Sequence, residues 1–123
     1  MSVTYTTAVK NARLNAVTSA IGATGVLEIG TAGMATILAT IPLANPAAPA
    51  ASGGVLSFTM PQSDASADNT GTAAAARIRT ASGGTDIVTG LTVGLSAADV
   101  ILDSLSITAG QTVTLNSAAI THA

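Results

Sequence analysis

The stretch NAVTSAIGATGVLEI, residues 15–29, contains the point at which the chain changes its hydrophobic period. Up to Ile21 the apolar residues recur at helical spacing, and from Val26 onward they alternate. Gly22 and Gly25 lie at the joint. Upstream, the pattern predicts one helix over residues 6–21. On its wheel Val9, Leu14, Val17, Ala20 and Ile21 form one broad apolar side, with Asn11, Asn15, Thr18 and Ser19 opposite. Thr6 or Thr7 is placed to cap its start, and Gly22 stands where a left-handed terminating residue belongs. Lys10 and Arg13 fall inside the apolar arc. Either their stems lie along apolar surface with the charge in water, or the charges meet an acidic partner surface.

Downstream the period is two. Leu27 and Ile29 alternate with Val26 and Glu28; Ile37, Ala39 and Ile41 with Thr36, Leu38 and Thr40; Leu56, Phe58 and Met60 with Val55, Ser57 and Thr59. Further alternating runs cover residues 74–80, 87–93, 100–102, 105–107 and 112–116, and a short last strand includes Ile120. Turn signals separate them: Asn45-Pro46, Ser52-Gly53-Gly54, Asn69-Thr70-Gly71, Ser82-Gly83-Gly84 and Ala109-Gly110. The expected fold is therefore mainly β, an N-terminal α-helix followed by an antiparallel β-sandwich or jelly-roll-like barrel. Residues 1–22 form the helical segment and residues 23–123 the β-sandwich domain. Residues 42–51, from Pro42 to Ala51, read as a crossing loop or as an arm lying on something else. Ala-Ser-Gly-Gly occurs at residues 51–54 and again at 81–84, which reads as shared turn chemistry rather than an internal repeat.

Composition narrows the function classes. No ionisable side chain occurs between Glu28 and Asp64, and only 8% of the 123 residues are charged; an ordinary domain has roughly 25%. Hydrophobic residues make up 48%. Such a surface is nearly neutral and suits packing against protein, which points to an assembly component. The net charge of −2 and four basic residues (Lys10, Arg13, Arg77, Arg79) give no footprint for nucleic acid. Tyr5 and Phe58 are the only aromatics, too few for a base-stacking platform. The chain has no Cys, so disulfides and thiolate metal sites are excluded. Lys10 and Arg13 interrupt any secretion signal. The uncharged region 33–51 is broken by Pro42, Asn45, Pro46 and Pro49, so no membrane span is expected.

A search for chemistry returns no catalytic, cofactor-binding or metal residue. The sole imidazole, His122, is one residue from the end of the sequence, and no Gly-x-Ser-x-Gly elbow exists. Gly53-Gly54 and Gly83-Gly84 precede expected strands, not helices, so neither is a phosphate loop. Asp64 and Asp68 fall in a run partly like a calcium loop. Asn69 takes the place of its turn glycine and Ala75 that of its closing Glu. The run reads as a polar turn held by Asp and Asn side chains, with a weak calcium site as the alternative. Asp99 and Asp103 flank residues 100–102 and mark the two ends of a strand, rather than a general acid/base pair.

Several segments, in order, resemble small virion proteins of tailed bacteriophages. They are Ala8-Val9-Lys10-Asn11-Ala12-Arg13-Leu14; the run from Asp64 to Asp68, followed by Thr70-Gly71-Thr72-Ala73; Arg77-Ile78-Arg79, leading to Ser82-Gly83-Gly84-Thr85; and the ending from Leu105 to Thr114. The resemblance implies a component of the particle, with no catalytic residues to carry over. The expectation is a non-enzymatic decoration or cement protein on the capsid exterior, assembled into the virion in the host cytoplasm. Its partners would be the major capsid protein or other virion proteins. It would be a homo-oligomer, with a trimer favoured, and would attach through the helix or residues 42–51. The alternatives are a tail, neck or fibre-associated subunit, a carbohydrate-binding surface module, an ice-binding protein and, last, an enzyme.

Overall fold

Thr6 and Gly22 bracket α1 (Thr7–Ile21), the one α-helix among the described residues. The computed structural model describes residues 5–44, 47–60, 62–81, 83–102 and 104–121. Thr6 Oγ1 accepts a hydrogen bond from Val9 N at 3.3 Å, which satisfies one of the free amides of the first turn. Gly22 ends the helix at φ 74° and ψ −158°, a region open essentially to glycine alone.

The face that α1 docks differs from the expected one. Leu14 and Ile21 enter the core, but beside them Asn11 and Asn15 point at the body rather than away from it. Asn15 Oδ1 accepts from Ala51 N at 2.8 Å, and Asn11 Oδ1 accepts from Gly54 N at 2.9 Å. Val9 and Ala20, expected inside, are exposed. Hydropathy favours an all-apolar face, whereas the turn at residues 51–54 presents backbone amides that need acceptors, and Asn supplies them. In that turn Gly53 and Gly54 both have positive φ (61° and 77°), and Ser52 and Val55 exchange two backbone bonds of 3.0 Å across it. That is the geometry of a two-residue primed hairpin turn.

From Gly25 onward the alternation becomes strands. β1 (Val26–Gly30) is flanked by β2 (Ile37–Pro42) and β6 (Ala75–Arg79), and β7 (Asp86–Leu91) completes a four-stranded antiparallel sheet in the order β2-β1-β6-β7. The second sheet runs β3 (Val55–Ser57), β11 (Val113–Thr121), β9 (Val100–Leu102), β8 (Val93–Gly94), with β4 (Gln62–Asp64) also paired to β11. β5 (Gly71–Thr72) and β10 (Ser106–Ile107) form a small third ladder. Leu27, Ile29, Ile41 and Ile78 from the first sheet share one core with Leu56, Val100, Leu102 and Leu115 from the second. The molecule is mainly β, consistent with a sandwich. Among the described residues the strand pairings are antiparallel except β8 with β9, which is parallel.

Two irregularities explain where the alternation misleads. The run expected as one strand over residues 87–93 breaks at Thr92: β7 belongs to the first sheet and β8 to the second, so the chain turns a corner between layers there. The last two expected strands are one, β11. Its register shifts between Leu115 and Ser117, and the buried positions move from Val113 and Leu115 to Ala118. The extra residue of a bulge reverses which parity faces the core.

Residues 42–44 and 47–51, the described parts of the segment, are a crossing built into the core rather than an arm. Leu43, Ala47 and Ala48 are buried. Leu43 N donates to Gly25 O, and Thr59 N donates to Ala47 O, both at 3.0 Å. Leu43, Ala47 and Ala48 are therefore part of the core, while Pro42, Pro49 and Ala50 stay exposed. Asn45 and Pro46 lie outside the described residues. No helix among those residues is long and apolar enough to cross a membrane.

Candidate functional sites

Among the described residues Glu28 is the one charged residue that is buried. It lies on the face of β1 opposite Leu27 and Ile29, and the register sets it against Arg77 on β6. Arg77 Nε donates to Glu28 Oε1 at 2.7 Å, and Arg79 Nη1 lies 3.6 Å from the same oxygen. Arg79 Nε in turn stands 2.8 Å from Asp86 Oδ1, without the alignment of a hydrogen bond. Four ionisable groups on three neighbouring strands thus form a ladder across one face. Their mutual pairing makes the ladder a fastening between strands. The sequence showed its parts, a lone Glu on one alternating run and Arg-x-Arg on another, but not the register that joins them.

Asp64 and Asp68 come together, but on a threonine. Asp64 Oδ2 accepts from Thr40 N at 3.0 Å, and Asp68 Oδ2 accepts from Thr40 Oγ1 at 3.3 Å. Asp64 Oδ1 accepts from Ser66 N at 3.0 Å, and Asn69 Nδ2 donates to Ile37 O at 2.8 Å. β2 is an edge strand, and the end of β4 with the loop after it supplies the partners that its outer edge would otherwise take from solvent or another chain. Ala75, at the position of a closing calcium ligand, instead begins β6.

Asp99 and Thr92 hold each other. Asp99 Oδ2 accepts from Thr92 N at 3.0 Å and from Thr92 Oγ1 at 3.1 Å, and Asp99 N donates to Thr92 Oγ1 at 3.0 Å. This reciprocal set closes the loop between β8 and β9 at the corner where the chain changes sheets. The loop displays Leu95, 58% exposed, and holds Ala97 at φ 52°. Asp103 and His122 lie outside the described residues. Thr92 and Thr40 were missed in the sequence because a threonine's worth as a capping partner depends on which carboxylate folding brings to it.

The glycine pairs serve turns, as expected: Gly54 precedes β3, and Gly84 N donates to Ala81 O at 2.9 Å before β7. A shallow depression lined by Leu102, Ser104, Gln111, Thr112, Val113 and Thr114 offers about 30 Å³. That is room for a water or two, far below the several hundred Å³ of a ligand pocket. The remaining charges are on α1. The Arg13 guanidinium lies 4.7 Å from the centroid of the Tyr5 ring, a cation–π distance, and Lys10 is half-buried on the same helix.

No family model, curated protein or solved structure matches this chain.

Proposed function

We propose that this chain is a non-enzymatic structural protein of a tailed-phage virion that binds the capsid exterior as a decoration or cement protein. The observation that carries the reading is the employment of the charged side chains. Each described carboxylate is engaged by another part of the same fold: Glu28 by Arg77, Asp64 and Asp68 by Thr40, Asp86 by Arg79, and Asp99 by Thr92. Catalysis requires a base or nucleophile poised toward a cavity. Here the ionisable groups fasten strands and loops, and the surface left over is nearly neutral. That combination suits a subunit whose work is to present a stable face to other proteins.

A decoration protein that binds only the assembled shell stabilises that state by mass action. At a free concentration a hundred times the dissociation constant the gain is about 2.7 kcal/mol per site. A homo-oligomer, with a trimer favoured, bridges neighbouring shell subunits most directly. A tail, neck or fibre location is the second reading, since the same neutral surface serves there. Carbohydrate binding is disfavoured because Phe58 is buried, and the Tyr5 ring carries Arg13 on its face. The test is co-sedimentation of the purified chain with DNA-free shells. Pelleting with shells supports the capsid reading; chain that stays in the supernatant rejects it and favours the tail.

A further inference from the structure

α1 has two sides with different employment. Its inner side is occupied by Asn11, Leu14, Asn15 and Ile21 against the body. Its outer side carries Val9, 43% exposed, with exposed Ala12 and Ala16 continuing the stripe, and Tyr5, 41% exposed, precedes the helix and packs its ring against Arg13. Among the described residues Val9 and Tyr5 are two of three large hydrophobics left exposed, the third being Leu95 on the loop between β8 and β9. The same helix holds the chain's uncompensated positive charge. Of four basic residues, Arg77 and Arg79 face carboxylates, whereas Lys10 and Arg13 are in no ion pair among the described residues. No acidic residue precedes Glu28 in the sequence.

We propose that the outer side of α1 is the attachment surface, and that it seats on a carboxylate-bearing patch of the shell protein, with Val9 and Tyr5 over its apolar centre. The inference rests on the capsid-binding reading and goes beyond it by naming the surface and the partner's chemistry. Tyr and Arg are the residue types that most often carry interface energy. Stacking Arg13 on Tyr5 orders both side chains before contact, which lowers the entropy lost on binding. The two cations select the occupant. Opposite charge is what a face with exposed Arg13, flanked by half-buried Lys10 and no acid, accepts. A second copy of the same helix would set like charges against each other.

The experiment is co-sedimentation with DNA-free shells at low and high ionic strength, using the wild type, Val9→Asp, Lys10→Glu/Arg13→Glu and, as an exposed apolar control, Leu95→Ser. Melting curves and sedimentation velocity of each protein alone accompany it. The expected result is wild-type binding that weakens with salt and at least about a tenfold loss for both helix variants, equivalent to roughly 1.4 kcal/mol. Leu95→Ser should bind as the wild type does, and all melting temperatures should stay close together. Helix variants that bind like the wild type overturn this surface while leaving the capsid reading intact. Wild type that does not pellet overturns both. Helix variants that break up an oligomer in solution assign the face to a second copy and overturn the acidic-patch proposal.

Discussion

At the residue scale, Glu28 organises the outer face of the first sheet. A carboxylate this buried is tolerable only because Arg77 and Arg79 reach it. Arg77→Met removes the aligned partner at 2.7 Å and leaves Arg79 at 3.6 Å. The expected cost is about 3 kcal/mol or somewhat more, the usual penalty for stranding a buried charge. Asp86→Asn acts on a partner whose side chain is 43% exposed, and it should cost under about 1 kcal/mol. Urea unfolding midpoints of the two variants check the contrast; equal, small shifts would contradict the ladder. Its members were legible as residue types at alternating positions. Their pairing was not, because register is fixed by turns and bulges far from the charges themselves.

At the element scale, the account turns on which side of α1 meets the body. Asn15→Ala removes the acceptor of the part-buried Ala51 amide and should destabilise by about 1 kcal/mol, the low end of the cost of an unpaired donor. Ser19→Ala, one turn further on the exposed side, should fall within about 0.5 kcal/mol. Near-equal effects would show that the helix is docked by its apolar arc after all. The helix limits were legible, since Thr6 and Gly22 act locally. So were β1, β2, β6 and β9 as strands, but alternation and burial coincide only in β6 and β9; all five residues of β1 are buried, and in β2 Leu38 is buried beside Ala39. β4 and β5 were not legible: strands of three and two residues carry no period of their own and exist through β11 and β10. The buried role of residues 42–51 escaped because Ala47 and Ala48 fill space without leaving a periodic trace.

At the scale of the whole molecule, one helix and two main sheets share an aliphatic core with a single Phe at its edge. Large side chains are few, so burial against other subunits would add to a modest intrinsic margin. The loop carrying Asp64, Asp68 and Asn69 covers the β2 edge, which directs association away from that strand and leaves side-chain surfaces such as α1 to make contacts. We propose that this protein is a many-copy part of a virion shell. Gel densitometry of purified virions, giving the ratio of this chain to the major shell protein, tests it most directly. The account predicts hundreds of copies per particle, in fixed proportion to the shell subunit. A handful of copies would place the chain in the tail, and its absence from purified particles would contradict the claim outright.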